Sequence, residues 1–238
     1  MPQAKVLNEK EIRRVLLHVA TKKHAARNRA MFTVLNLTGM RVGELAALRL
    51  ADVLTSEGDI REEVYLSAQM TKGSRGRTVV LSDKAQEEIK NYLQVRFKLK
   101  DLLPVTFTDT SRALFSSQKH PDRGFTASTL AQHFHYMYKN AGIAGASSHS
   151  SRRGFLTALS NKGVSVRVLM ELAGHSGPAV WFSSRHYCRQ AVGHRHDRGA
   201  ADYSKLRHFH HQLCRRQSFA TASQHCRSGL PDRHLKLF

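Results

Sequence analysis

The sequence predicts an α+β fold that is mainly helical and carries one small sheet. Three observations lead there. Apolar residues recur at three- and four-residue spacing through most of the chain as far as about residue 177. The β-rich runs are confined to residues 58–82, around a glycine-containing basic turn. A chain of 238 residues can bury one good-sized core, so one domain with an appendage is expected.

The helices follow in order. In "LNEKEIRRVLLHVATKK", Asn8 is placed to cap, Glu11 stands three residues on, and Ile12, Val15, Leu16 and Val19 share one face. A second helix runs through "HAARNRAMFTVLNLTG" and closes at Gly39, and "RVGELAALRL" forms a short third. The run "GDIREEVYLSAQMTKGSRGRTVVLS" is a hairpin or small sheet. Helical patterns return in "DKAQEEIKNYLQVRFKLK", in "TASTLAQHFHYMYKNAG" with Leu130, Phe134 and Tyr138 four apart, in "SRRGFLTALSNKG" and in "SVRVLMELAGH".

Charge narrows the function classes. Lys and Arg number 38 against 18 Asp and Glu, a formal net charge of +20. Such an excess fits a polyanion, because each neutralised phosphate releases condensed counterions. No run approaches the ~18 apolar residues of a membrane span. No basic amphipathic helix offers a continuous apolar face, so no membrane partner is expected. The opening "MPQAKVLNEKEIRR" has no signal-peptide core, and the cysteines (Cys188, Cys214, Cys226) come late at irregular spacing. A reducing, cytoplasmic setting is expected. No C-x2-C or H-x3-H spacing accompanies these cysteines, so no metal site is expected.

Composition changes near Pro178. Residues 178–238 contain no Glu, Ile, Met or Asn, yet hold all three cysteines and eight of the fifteen histidines. Disordered basic tails are usually rich in Lys, Glu, Pro or Gly. The expected organisation is therefore a domain over residues 1–177 and an aberrant, poorly ordered basic tail over 178–238, as translation of a shifted reading frame would produce.

Several polar residues could carry chemistry. In "LTGMRVGELAALRL", Arg41 follows a glycine turn and Glu44 lies three residues on, able to share its face. Taken alone, this is an ion pair on a helix. Lys72 lies in "MTKGSRGRTVVL" with Arg75 and Arg77, which taken alone is a solvated basic turn. "SHSSRRGFL" sets His149 and Arg152 three apart at a helix start, where both can face one anion, and the flanking serines suit helix capping. "LAGHS" places His175 just past a helix, where a Gly-His pair could be merely a cap.

Taken in order, Arg in "TGMRVGEL", Lys in "TKG", His-x-x-Arg and "GHS" resemble the catalytic domain of the tyrosine recombinases. This is the phage integrase family, which includes Xer-type and fimbrial-switch recombinases. The resemblance covers about residues 6 to 176, and "TGMRVGELAALRLADV" matches nearly throughout. It implies a helical bundle with a small three-stranded antiparallel sheet that binds double-stranded DNA in a basic cleft, alongside further recombinase protomers. It implies DNA cleavage by transesterification with no metal or other cofactor, the protein supplying the positive charge.

Carried over by residue, Arg41 and Arg152 clamp the non-bridging phosphate oxygens and Lys72 protonates the leaving 5′ oxygen. His149 and His175 assist proton transfer, and Glu44 orients Arg41. Arg75, Arg77 and Arg153 contact DNA, Arg153 standing where the family usually has a second histidine. A tyrosine attacks to give a 3′-phosphotyrosyl link. The family places it about nine residues past the "GH" histidine, but here that position is Ser184, and Tyr187 comes three residues later. On a rigid helix three residues turn a side chain by about 300°. Tyr187 is therefore the candidate nucleophile and is expected to be a poor one. Two alternatives stay open: a non-catalytic DNA-binding relic, and a general basic nucleic-acid-binding module.

Overall fold

The computed structural model describes residues 4–71, 75–98, 110–118 and 123–174, all within one unit, Met1–Gly199. Helix α1 (Glu9–Ala20) begins as its sequence predicts: the Glu11 backbone N–H donates to Asn8 Oδ1 at 2.9 Å, and Glu11 Oε2 accepts from the Asn8 N–H at 3.0 Å. Two otherwise unpaired helix-start donors are satisfied at once. Val15 and Val19 are its buried face.

Helix α2 (Ala25–Thr38) is buried on nearly every side, through Ala30, Met31, Phe32, Val34 and Leu35. A helix buried on nearly every side sits at the centre, and α2 packs against α1, α5 (Asp83–Phe97) and α7 (Ser148–Asn161). Its polar residues are accommodated individually. Arg27 Nη1 donates to the Ser116 carbonyl at 3.0 Å, and its guanidinium lies 5.1 Å from the Phe125 ring centre. Around α2 the aromatic residues interlock: Phe32 meets Tyr138 edge-on at 6.1 Å, and Tyr92 stacks on Phe115 at 5.4 Å.

The chain leaves α2 at Gly39, whose φ of +64° only glycine adopts without strain. A β-carbon there would also lie 2.4 Å from Phe155 Cδ1. Two short helices follow, α3 (Val42–Ala47) and α4 (Leu50–Val53). Strands β1 (Glu63–Leu66) and β2 (Arg77–Val80) pair antiparallel, with Glu63 opposite Val80 and Leu66 opposite Arg77.

Among the described residues the sheet has two strands, not the expected three. The segment before β1 closes on itself instead. Leu54 and Ile60 form one isolated bridge around a turn held by Thr55 N–H to the Asp59 carbonyl at 2.9 Å, with Gly58 at φ +88°.

Helix α6 (Ala127–Asn140) buries Leu130, Phe134, Met137 and Tyr138, the four-residue spacing read from the sequence. Helix α7 begins at Ser148, three residues earlier than its apolar pattern indicates, because Ser147 caps it. Helix α8 (Val166–Ala173) ends at Gly174, again left-handed at φ +57°. Among the described residues no helix is long and apolar enough to cross a membrane. The expected tail, residues 178–238, lies outside the described residues.

Candidate active site

The turn after α2 and the ends of α7 and α8 meet beside α3 and β2, and they bring three arginines to one place. Arg41 stands at the start of α3. Its Nη1 donates to Glu44 Oε1 at 2.8 Å, and its backbone N–H donates to Glu44 Oε2 at 2.8 Å. Glu44 is 1% exposed and so fixes both the main chain and the side chain of Arg41. The Arg41–Glu44 ion pair is thus a clamp on a buried carboxylate, not a surface pair on a helix face.

Arg152, on the second turn of α7, is 7% exposed. Its Nη1 donates to the Gly39 carbonyl at 2.7 Å and its Nη2 to the carbonyl of Ala173. The Gly39 turn, needed to let the chain pass Phe155, therefore also presents an acceptor to the site.

Arg77, on β2, is buried as well. Its Nη2 donates to Glu44 Oε2 at 2.6 Å and its Nη1 to the Leu172 carbonyl. The expected DNA contact from this residue is not what its surroundings provide, since β2 turns alternate side chains inward and Arg77 is one of them.

The three arginines share one further feature. Helix α8 leaves its last carbonyls unpaired, as every helix does. Leu172, Ala173 and Gly174 offer theirs to Arg77, Arg152 and Arg41 in turn, the last from Arg41 Nη2 at 3.2 Å. Cations at a helix C-terminus are favourable, and here they gather at the residue directly before His175.

Three guanidinium charges against one carboxylate leave a net +2 in a largely buried cluster. The electrostatic consequences run both ways. Burial pushes the Arg152 guanidinium down to about 9, and the charges of Arg41 and Arg77 push the same way while Glu44 opposes them. Arg152 thus stays protonated at neutral pH but repels its neighbours. Burial acts to raise the Glu44 carboxyl, yet the Arg77 charge and hydrogen bonds from Arg41 and Arg77 hold it below the ordinary carboxylate range. An excess of buried positive charge is relieved by an anion, and planar guanidinium forks match phosphate oxygens in geometry. Arg41, 21% exposed, is the member of the cluster most open to solvent.

The other sequence-predicted residues are placed as follows. His149 is exposed on the first turn of α7, its backbone N–H donating to Ser147 Oγ at 3.3 Å. Arg153 is one residue past Arg152, which on a helix turns it by about 100°. It donates to the carbonyl of Ala4 on the N-terminal segment, away from the cluster. Arg75 is exposed, and its carbonyl accepts from Thr71 Oγ1 at 2.8 Å. Lys72, His175 and Tyr187 lie outside the described residues.

Sequence reasoning missed a half-buried polar group on α6. His133 on α6 is 3.1 Å from Asn28 Oδ1 through Nε2, next to Arg27. Burial first, then the Arg27 and His24 charges, push its imidazole down to about 4. A neutral His133 donating from Nε2 is the form that suits Asn28 Oδ1, which also accepts from Arg27. A lone histidine on an otherwise apolar helix face was the available signal.

Comparison with known proteins follows this geometry. Residues 5–192 match the phage integrase family. The chain is 28% identical over 173 residues to tyrosine recombinase XerA of Pyrococcus furiosus, covering 72% of this chain and 54% of that protein. It is 30% identical over 156 residues to tyrosine recombinase XerD of Rickettsia prowazekii, covering 62% of this chain and 47% of that protein. The chain thus spans about half the length of the curated relatives it matches. Among solved structures, XerA recombinase aligns over 90% of this chain and 66% of its own, with a TM-score of 0.59 and 24% identity. The Tn1549 transposon integrase in complex with transposon right end DNA aligns over 90% of this chain and 67% of its own, at TM-score 0.59 and 17% identity. These two likenesses establish the shared fold.

Proposed function

Because the chain belongs to the phage integrase family, we propose that it is a site-specific DNA recombinase, cutting and rejoining duplex DNA through a 3′-phosphotyrosyl intermediate. The observation that carries this reading is the convergence of Arg41 and Arg152, from separate parts of the chain, on the end of α8. Two guanidinium groups so placed can bind the non-bridging oxygens of one phosphate and stabilise the charge that builds on it during attack. The cluster's net positive charge supplies this without a metal.

Lys72 delivers the proton to the leaving 5′ oxygen, and His149 and His175 serve proton transfer around the phosphate. Glu44 acts through Arg41, fixing its orientation. Arg75 extends the contact to neighbouring phosphates. The partners are duplex DNA and further copies of the recombinase on it, and the setting is the cytoplasm.

One observation favours a second reading, a DNA-binding relic that no longer cleaves. Tyr187 comes three residues after Ser184, the position the family spacing assigns to the nucleophile. A misplacement of about 1 Å already costs on the order of 100-fold in rate. A nicked suicide duplex that traps covalent protein on DNA separates the two. Trapping that disappears in Tyr187→Phe establishes the recombinase; DNA binding with no trapping establishes the relic; neither binding nor trapping refutes both.

The missing glutamate, isoleucine, methionine and asparagine support reading residues 178–238 as out-of-frame translation. The family match carries into this segment as far as residue 192, so the boundary at 178 is drawn from composition alone. The coding DNA decides. Another frame, entered near codon 177, should encode a helix with tyrosine nine residues past the histidine; without one, the frameshift reading falls.

A further inference from the structure

Arg77 is the buried arginine of the cluster that the proposed chemistry does not use. Its side chain is 7% exposed, and both of its Nη atoms are engaged inside the protein, Nη2 by the Glu44 carboxylate. It joins three elements, bonding Glu44 on α3 and the Leu172 carbonyl on α8 from its place on β2. Its Nε is buried with no hydrogen-bond partner among the described residues. A buried donor left unpaired costs stability, and buried ion pairs are seldom net stabilisers. What Arg77 contributes here is charge next to Glu44.

That charge matters because Glu44 touches two arginines at once. Glu44 Oε1 takes Arg41 and Glu44 Oε2 takes Arg77, at 2.8 and 2.6 Å. With Arg77 removed, the single carboxylate would be neutralised by Arg41 alone, and Arg41 would offer much less field to an anion. We propose that Arg77 is a positioning residue that balances Glu44, so that Arg41 and Arg152 keep their positive charge for the DNA phosphate. This rests on the phosphate-binding reading of the cluster. The arrangement solves a conflict: Arg41 needs a carboxylate to hold it still, and a carboxylate beside it weakens anion binding. A second arginine, paired with the same carboxylate, removes the conflict.

A charge role and a purely structural role differ in how they respond to a second lesion. Removing Arg77 lowers the cluster's net charge by one, and removing the Glu44 charge restores it. The test is titration of the full chain with inorganic phosphate at constant ionic strength, using the wild type, Arg77→Met, Arg77→Lys and the double variant Glu44→Gln with Arg77→Met.

Arg77→Met should weaken phosphate binding on the order of tenfold, the scale of one partly screened charge a few ångströms away. Arg77→Lys should bind within about threefold of wild type, since its net charge is unchanged, and the double variant should recover part of the affinity lost in Arg77→Met but not all of it, because Arg41 has also lost the carboxylate that holds it. If Arg77→Met loses cooperative unfolding, the lysine and double variants still decide, because removing both members of a buried pair is better tolerated than removing one. A double variant that binds as weakly as Arg77→Met, or more weakly, overturns the proposal, as does an Arg77→Met chain that binds like wild type. A wild-type chain that binds no phosphate would instead overturn the phosphate-binding reading on which the proposal rests.

Discussion

Replacing Gly39 with alanine tests the turn that links the core to the arginine cluster. Gly39 sits at φ +64°, where an L-residue costs about 1–2 kcal/mol. Its new β-carbon would lie 2.4 Å from Phe155 Cδ1, well inside contact distance, with Phe155 itself buried at 3% exposure. Overpacking of this kind costs about 1–3 kcal/mol. The unfolded chain loses freedom with alanine, which returns about 0.4–1 kcal/mol. The net expectation is a loss of about 2–4 kcal/mol, read from urea unfolding at constant slope. Because the Gly39 carbonyl accepts from Arg152 Nη1 at 2.7 Å, phosphate affinity should fall as well. Truncating Phe155 to alanine removes the steric part, so the double variant should be less destabilised than the sum of the singles by about 1–3 kcal/mol. A Gly39→Ala loss below about 0.5 kcal/mol, or strict additivity with Phe155→Ala, would refute the packing argument.

Arg41→Ala should unfold cooperatively, with a loss of about 1–3 kcal/mol because Glu44 keeps Arg77, while phosphate binding disappears; retained binding would show that Arg41 does not hold the anion. Acid should weaken the fold through His133. Its folded value of about 4 lies below the unfolded 6.5, so the unfolded chain takes the proton first. The contribution is fully present above pH 6.5 and is lost as pH falls toward 4, in all about 2–3 kcal/mol. Urea melts between pH 7 and 4.5 should show that loss, and His133→Leu should reduce it; a flat wild-type profile contradicts the burial. Ser147→Ala removes the cap of α7 and should cost about 1 kcal/mol in the same melts, whereas an unchanged midpoint would place the helix start elsewhere.

Much of the fold was legible because periodicity and capping are local. Asn8 with Glu11, Gly39 after α2, and Leu130, Phe134 and Tyr138 on one face are all visible within a dozen residues of sequence. The start of α7 was read from its serines rather than from an apolar period, and the burial of Ser151, whose Oγ lies 2.8 Å from Tyr138 Oη, was not visible there. The approach of Arg41 to Arg152 was expected from the motif order. The burial of Arg77 was not, because "KGSRGRTVV" gives Arg75 and Arg77 the same strand phase. What separates them is that β2 starts at Arg77, which shares a buried face with Val79, while Arg75 lies exposed before the strand. Arg153 shows the same limit of reading a chain residue by residue. Next to Arg152 in sequence, it is a third of a helical turn away in space and faces Ala4. The use of all three arginines to hold the α8 carbonyls has no sequence signature, since it depends on chain segments 133, 95 and 21 residues apart meeting in space.

The most direct test of the central claim is a crystal structure of the full chain with duplex DNA. A single phosphate should lie between Arg41 and Arg152, with a non-bridging oxygen about 2.7–2.9 Å from each guanidinium. Arg77 should remain on Glu44. Phosphates bound elsewhere on the basic surface, with Arg41 and Arg152 making no contact to DNA, would contradict the account.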